Sequence, residues 1–315
     1  MACSNPSAKD PETSGPLVGN SLFVRVGRAL GDSMLSTAVI EGVGKQYPDI
    51  RIFVLAKYRE LFANNPHVVA CHDVRRTREK NPSLYKRFVA LGYRTYPDFR
   101  VAANKRHIID DMYDKIPLAI SERCYRPRIY LTEQEQNRYA RRLERLARPL
   151  VAISPFGNQK SCLSNKIYPY KQWEEAVQRL LQAGVNIVQV GRKTEGPLLA
   201  GAHAWRDIGY RYTAAVLLHC DAVITHVGGI MHLATAVSVP CVALFAGVED
   251  PCVSGYEENL NLFIPLECSP CWLVEPCATR QCMSLLSPEK VVQETLNLIK
   301  PCSHVKRTCS ISKER

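Results

Sequence analysis

Short apolar runs alternate with longer amphipathic segments in this chain, and this alternation is what most constrains its fold. Residues 21–27 and 49–55 are typical of buried strands, and residues 33–47 between them carry apolar side chains at helical spacing. A strand, a helix and a strand joined by short connections form the βαβ unit of a parallel sheet. The first half is therefore predicted to be an α/β domain.

The same pattern restarts near residue 149. Strands are predicted over residues 149–154, 186–190, 222–225 and 241–245, and helices over 169–183, 213–220, 229–237 and 288–299. A length of 315 residues also exceeds one ordinary domain. We therefore predict two Rossmann-like, doubly wound domains, at 20–148 and 149–299, between a disordered tail (1–19) and a basic tail (300–315).

Two helices carry more specific expectations. Thr132 followed by Glu135 is typical of a capping box, which predicts one long helix over residues 133–147. The last helix, over 288–299, is expected to cross back to the first domain.

The net charge of +11 is concentrated in the first half of the chain. Residues 1–150 hold 26 Lys and Arg against 16 Asp and Glu, whereas the remainder holds 15 against 14. Such a surface either attracts an anionic partner or is simply solvated. We find no nucleic-acid-binding motif and expect no nucleic acid partner. No apolar run approaches the roughly 18 residues of a membrane span, so a cytoplasmic protein is expected.

Four of the 13 cysteines are clustered, at Cys268, Cys271, Cys277 and Cys282. Thiolates at this spacing can converge on one tetrahedral ion, which would make residues 266–285 an insertion with a structural zinc or iron. Reduced thiols or a disulfide are the alternatives. The other nine cysteines are scattered, as small buried hydrophobic residues are.

Asp32 follows the first predicted strand and a turn flanked by Gly27 and Gly31. At the carboxyl end of a parallel sheet, a carboxylate can act as a general base on a ligand hydroxyl. It can equally cap the helix that begins there. The position alone leaves both roles open.

Two stretches of the second half are suited to anions. Ser161 and Lys166 lie in a loop after a buried strand, where an ammonium group can bind a diphosphate. His226, Gly228, Gly229 and His232 lie where a strand passes through a diglycine turn into a helix, whose N-terminal amides favour negative charge. A surface lysine and a histidine bonded to a backbone carbonyl are the alternatives.

These motifs occur together and in order in the heptosyltransferases of glycosyltransferase family nine, which the chain resembles over about residues 20–299. The resemblance rests on Gly27-Arg-Ala-Leu-Gly-Asp32, Lys166-Ile-Tyr-Pro-Tyr-Lys-Gln-Trp173, Gly229-Ile-Met-His-Leu-Ala234, and Cys268-Ser-Pro-Cys271 with Cys277 and Cys282-Met283. The first motif has one extra residue between its glycines.

The resemblance implies a GT-B fold and an inverting glycosyltransferase that needs no cofactor for catalysis. Asp32 would be the base. The donor, ADP-heptose, would bind the second domain, and the acceptor would bind the first. The implied donor-binding residues are Ser161, Lys166, Glu195, His226, Gly228, Gly229 and His232. The expected acceptor-binding residues are Arg28, Arg75 and Lys105.

The acceptor is expected to be an anionic glycan, lipid or protein, with peripheral contact to the inner membrane. The family's usual Asp five residues before the His is Val227 here, so the motifs leave the donor sugar open, with His226 as a substitute contact. A nucleotide-sugar epimerase and a catalytically degenerate nucleotide-sugar-binding protein are the alternative functions.

Overall fold

The computed structural model describes residues 15–101, 105–157 and 161–300, without the side chains of 161–163. The predicted tails, 1–19 and 300–315, lie mostly outside these residues. The first half forms a five-stranded sheet in which β2, β3, β4 and β5 are parallel and β1 is antiparallel. The strands are β1 (Leu17–Val18), β2 (Ser21–Val26), β3 (Arg51–Ala56), β4 (Val68–Asp73) and β5 (Val89–Leu91).

The helices of this half cover and flank its sheet. They are α1 (Leu30–Gln46), α2 (Val74–Lys80), α3 (Pro82–Arg87), α4 (Tyr96–Val101), α5 (Ile108–Tyr113), α6 (Glu133–Asn137) and α7 (Ala140–Leu143), with a 3-10 helix at Arg59–Phe62. The alternation in β2 buries Leu22, Val24 and Val26 against the core. Helix α1 is buried over most of its length because the second half packs against it as well.

The second half forms a six-stranded parallel sheet in the order β11-β10-β9-β6-β7-β8. Its strands are β6 (Leu150–Ser154), β7 (Asn186–Gly191), β8 (His203–Arg206), β9 (Ala222–His226), β10 (Cys241–Ala246) and β11 (Leu260–Phe263). Its helices are α8 (Tyr170–Gln182), α9 (Tyr210–Leu218), α10 (Gly229–Ala236), α11 (Pro251–Ser254), α12 (Gln281–Leu285) and α13 (Pro288–Ile299), with 3-10 helices at Ser161–Lys166 and Lys193–Glu195.

The predicted α/β class with two Rossmann-like sheets is confirmed. Strand β6 is buried along its whole length because it is central in its sheet. Helix α8 buries Trp173, Ala176, Val177 and Leu180, which recur at helical spacing on one face. The strands β8 and β11 are at the two sheet edges and are short, and the sequence pattern did not reveal them.

Two helix predictions were wrong. The segment 133–147 is broken into α6 and α7, although the capping box of Thr132 and Glu135 is present. The break lies at Tyr139, whose ring packs edge-on against Trp205. The last helix, α13, has its principal contacts with α8, β9 and β10 of the second sheet and does not cross back to the first.

Helices α1 and α10 join the two halves at their N-terminal ends, where glycines allow a close approach. A Cβ atom on Gly31 would lie 3.3 Å from Cδ2 of His232 and 3.8 Å from the amide nitrogen of Gly229. A Cβ atom on Gly229 would lie 2.6 Å from Cδ2 of Leu30. Each glycine therefore lets the backbone of one half lie directly against a side chain of the other, Gly31 against His232 and Gly229 against Leu30.

We predict that Gly229→Ala lowers the free energy of unfolding by about 1–3 kcal/mol, because the added methyl overlaps Leu30 and must push the two helix ends apart. Gly92→Ala is the matched control, since its Cβ would meet nothing within 4 Å. Urea unfolding of both variants measures the effect. Equal stability of the two variants would contradict the close helix approach.

Candidate active site

Asp32 lies in the first turn of α1, directly beyond the carboxyl end of β2. Its Oδ2 accepts a hydrogen bond from the amide of Ala29 at 3.2 Å, and its Oδ1 accepts one from the hydroxyl of Tyr93 at 2.8 Å. A Cβ atom on Gly27 would lie 2.2 Å from Oδ2, so a glycine is required beside this carboxylate. Ala29 is the N-cap residue, and Asp32 supports the helix start from its third position. Both roles read from the sequence are thus compatible.

His232 lies on α10 opposite the N-terminus of α1, and its imidazole is almost wholly buried. Its Nδ1 is 2.6 Å from the hydroxyl oxygen of Tyr256. Burial lowers the pKa of His232 to about 3, so the imidazole is neutral at physiological pH. The edge of the ring that carries Nε2 faces Gly31, which leaves this nitrogen directed at the junction of the two halves.

His226 ends strand β9, next to Gly157. A Cβ atom on Gly157 would lie 2.8 Å from its Nε2, and its buried Nδ1 has no hydrogen-bond partner within the described residues. Burial and the nearby ammonium of Lys166 lower the pKa of His226 to about 4. The diglycine turn of Gly228 and Gly229 follows, with both residues at the start of α10.

Lys166 ends its 3-10 helix and is nearly buried. Its Nζ forms an ion pair with Glu249, in the loop after β10. Glu249 also accepts hydrogen bonds from the hydroxyls of Tyr96 and Ser254. Burial alone would raise the pKa of Glu249, but the ammonium of Lys166 and the two hydroxyls outweigh it and hold the pKa below its usual value. The predicted diphosphate-binding lysine is thus engaged by a carboxylate.

The remaining predicted donor residues lie at the same edge of the second sheet. Glu195 follows β7, where its Oε2 accepts from the amide of Arg192 at 3.2 Å. Burial raises the pKa of the Glu195 carboxyl. The backbone of Ser161 belongs to the 3-10 helix of Lys166, and its side chain lies outside what the structure describes.

The three predicted acceptor residues are not grouped together. Arg28 is exposed in the turn between β2 and α1. Lys105 pairs with Asp250 at 2.9 Å, next to Glu249 in the chain. Arg75 lies on α2 beyond β4, two strands from β2 in the sheet, and pairs with Glu79 at 2.9 Å.

The four cysteines of the predicted metal centre are free thiols. Cys277 accepts a hydrogen bond from the amide of Arg280 at 3.3 Å. Among the described residues, no group of three or more His, Cys, Asp or Glu side chains is arranged to hold a metal ion. The tetrahedral site that the spacing predicts is therefore not assembled here, and the metal remains a prediction.

The sequence interpretation missed four side chains of this site: Tyr93, Tyr96, Glu249 and Tyr256. Glu249 lies three residues beyond the buried strand β10, at the sheet edge where ligands of such folds bind, and that position could have indicated it. Tyr93 and Tyr96 lie between β5 and the start of α4, and nothing local in the sequence links them to Asp32 or Glu249.

We predict that the protein loses stability as the pH falls from about 6.5, because the unfolded chain, with a histidine pKa near 6.5, takes up a proton that folded His232 resists. Between pH 8 and pH 5 this one group accounts for about 2 kcal/mol of the loss. His232→Gln should remove that share, whereas His203→Gln, at an exposed residue, should not. Urea unfolding of the wild type and both variants at pH 8 and pH 5 measures the loss of stability. If His232→Gln loses as much stability as the wild type, the pH dependence does not come from His232.

Comparisons with known proteins show which proteins this chain is similar to. Residues 209–281, which span α9, the diglycine turn and most of the cysteine cluster, match the model of glycosyltransferase family 9 (heptosyltransferase). Lipooligosaccharide heptosyltransferase 2 of Campylobacter jejuni is 37% identical over 84 residues. That alignment spans 26% of this chain and 26% of the relative.

Solved structures share the fold over most of the chain. A family 9 glycosyl transferase from Veillonella parvula matches 89% of this chain and 97% of its own, with a TM-score of 0.69 and 16% identity. E. coli ADP-heptose heptosyltransferase II matches 88% of this chain and 98% of its own, with a TM-score of 0.63 and 18% sequence identity. A dodecameric iron-containing glycosyltransferase of enterotoxigenic E. coli matches 89% of this chain and 78% of its own, with a TM-score of 0.64 and 15% sequence identity.

These findings confirm the GT-B fold and the resemblance read from the motifs. Residues 209–281 of the chain are similar to the family 9 glycosyltransferases, the heptosyltransferases, and the chain shares the fold of solved structures of that type over most of its length.

Proposed function

We propose that the protein is an inverting glycosyltransferase that transfers a sugar, heptose from ADP-heptose, to a hydroxyl group of an anionic acceptor. One observation carries the proposal. The carboxylate-bearing N-terminus of α1, from the first half, meets the N-terminus of α10 from the second. An acceptor and a diphosphate leaving group bound at these two ends would lie side by side.

Asp32 is suited to be the general base. Each of its oxygens accepts one hydrogen bond, from Ala29 or from Tyr93, and retains capacity to accept a proton. In the proposed reaction, the acceptor hydroxyl gives its proton to Asp32 while its oxygen bonds to the anomeric carbon. The bond from that carbon to the diphosphate breaks at the same time, and ADP leaves with the electron pair.

The leaving diphosphate needs positive charge and hydrogen-bond donors. We assign this role to Lys166, to the amides at Gly228 and Gly229, and to neutral His232. Lys166 is already paired with Glu249, so a bound diphosphate would share or replace this partner. Ser161, by its backbone position, would assist at the diphosphate, and Glu195 and His226, at the edges of β7 and β9, would contact the rest of the donor.

The acceptor would approach from the first half. Helices α2 and α3 have no buried residue, and they expose Arg75, Arg76, Arg78, Lys80 and Lys86 with one acidic residue between them. This surface is complementary to a phosphorylated glycan, an anionic protein or the headgroups of a lipid-linked acceptor. Arg28 and Lys105 would contact the acceptor nearer to Asp32. In the described part of the chain, no helix has the length and apolar character that crossing a bilayer requires.

The alternatives are a nucleotide-sugar epimerase and a binding protein without turnover. The comparisons favour a transferase, because the family model and the curated relative are both heptosyltransferases. Experiment separates the three functions. An epimerase converts the nucleotide sugar without an acceptor, and a degenerate protein binds it without any turnover.

The first test is a donor screen that compares ADP-heptose with ADP-glucose and UDP-glucose. A donor present at about 100 times its dissociation constant stabilises the folded state by about 2.7 kcal/mol, which raises the melting temperature measurably. We expect the largest rise with ADP-heptose. If no nucleotide sugar raises the melting temperature, the proposed function is wrong.

For the base, we predict that Asp32→Asn lowers kcat by about 10²–10⁴-fold, because an amide cannot take the acceptor proton. Donor binding, followed by calorimetry, should stay near the wild-type value. Asp98→Asn is the matched control, since Asp98 accepts from the amide of Thr95, three residues before it, as Asp32 does from Ala29. A comparable fall in both variants would indicate a loss of helix capping and not of a base.

For the acceptor surface, we predict that replacing Arg75, Arg76 and Arg78 together by Gln raises the KM for the acceptor about tenfold and leaves the donor KM unchanged. The reason is the loss of long-range attraction, so the difference should shrink at high salt. Steady-state kinetics at two ionic strengths measure it. Replacing Arg141, Arg142 and Arg145 by Gln is the control, since it removes the same charge elsewhere. An equal rise of the acceptor KM in both triple variants would refute the role of α2 as the acceptor surface.

A further inference from the structure

Asn165, the residue before Lys166, is buried, and its side-chain hydrogen bonds to the described residues all go to one segment. Its amide nitrogen donates to the carbonyl oxygens of Leu273 at 3.2 Å and Glu275 at 2.9 Å. Its carbonyl oxygen accepts from the amide of Cys277 at 2.8 Å. These three bonds tie the short helix of Lys166 to residues 266–285, which we call the cysteine segment.

Arg280 of the cysteine segment also binds the backbone on either side of Lys166 in the chain. Its guanidinium donates to the carbonyl oxygen of Ile167 at 2.8 Å and to that of Ser164 at 3.4 Å. Its own amide bonds to the sulfur of Cys277. Lys166 therefore lies between three backbone positions that Asn165 and Arg280 fix.

The cysteine segment also holds the loop that leads to Glu249. The amides of Cys271 and Trp272 donate to the carbonyl oxygens of Gly247 and Val248, each at 3.0 Å. A Cβ atom on Gly247 would lie 2.2 Å from the hydroxyl oxygen of Ser269, so side chains of the cysteine segment pack directly on the backbone of Gly247. Both members of the Lys166–Glu249 ion pair are thus on loops bound by this one segment.

We propose that the cysteine segment positions Lys166 for the donor diphosphate, and that Asn165 is the positioning residue through which it acts. A lysine has a long flexible side chain, and a 3-10 helix of six residues does not fix its base. The hydrogen bonds from Asn165 and Arg280 supply that rigidity, so a change in the segment displaces the ammonium group. The proposal rests on the proposed function, because it presumes that Lys166 binds a diphosphate.

The test compares binding of ADP and of adenosine by calorimetry and ligand-observed NMR. Asn165→Asp keeps the size of the side chain and the bond from Cys277, but it puts a carboxylate against the carbonyls of Leu273 and Glu275. We expect the dissociation constant for ADP to rise about tenfold, which corresponds to about 1.4 kcal/mol, and that for adenosine to stay unchanged. Arg280→Lys should weaken ADP binding in the same selective way.

Two comparisons distinguish positioning from a general structural role. Asn186→Asp is the matched control, because the side-chain amide of Asn186 also donates to a carbonyl oxygen, that of Ala147. Asn186 begins β7, so it lies at the end of the sheet opposite to the predicted ligand edge. In a Lys166→Ala background, Asn165→Asp should have no further effect on ADP binding, since it acts through Lys166. Arg280→Lys provides the same readout if Asn165→Asp does not fold.

The outcomes separate the two proposals. If the wild-type protein binds no ADP, the proposed function fails. If the wild type binds ADP and the Asn165 and Arg280 variants bind it equally well, the positioning role is refuted. Equal weakening of ADP and adenosine, or an undiminished effect in the Lys166→Ala background, also refutes it.

Discussion

The meeting of the N-termini of α1 and α10 is the constraint on which the rest of the site depends. Each helix N-terminus carries about half a positive charge, so bringing two together is unfavourable unless negative charge is supplied. At α1 the first turn contains Asp32, whose carboxylate supplies it. The first turn of α10 contains no acidic residue. The junction is therefore electrostatically unbalanced on the side of the second half, which is where an anionic ligand would complete it.

This junction is maintained by ion pairs and hydrogen bonds between the two halves at its periphery. Arg211 of α9 is buried, forms a bidentate ion pair with Glu135, and donates to the carbonyl oxygen of Tyr130 at 2.7 Å. The bonds from Arg211 lower the pKa of Glu135 to about 2. On another side, Arg126 donates to the carbonyl oxygen of Thr235, near the end of α10. These contacts hold α9 and α10 against the first half, so the position of His232 relative to Asp32 does not depend on the glycine contact alone.

The sequence revealed the parts of the molecule that local patterns encode. Buried strands and the apolar face of α8 follow from periodicity, and Asp32, His226 and the diglycine turn follow from their places after strands. The partners of these residues did not follow. Tyr93 bonds to Asp32, and Tyr96 bonds to Glu249 across 153 positions of the chain. The first pair forms when the first half folds and the second only when the two halves pack together, and no local pattern records either. The break at Tyr139 is likewise not encoded locally, and there the ring packs edge-on against Trp205 of the second half.

The turn after β9 holds Val227 where the resemblance leads one to expect a carboxylate, and the charges nearby lie elsewhere. Val227 is almost fully buried in the hydrophobic core, so no carboxylate stands at that point of the turn. The buried carboxylate of this region is instead Glu249, after the neighbouring strand β10, and it is paired with Lys166. Since His226 and His232 are neutral, this pair leaves no net side-chain charge at the base of the site. A diphosphate that enters meets helix amides and one ammonium whose partner is held by Tyr96 and Ser254. If a donor diphosphate binds Lys166 as proposed, its binding is coupled to the geometry of the Lys166–Glu249 pair, and through Tyr96 to the first half of the molecule.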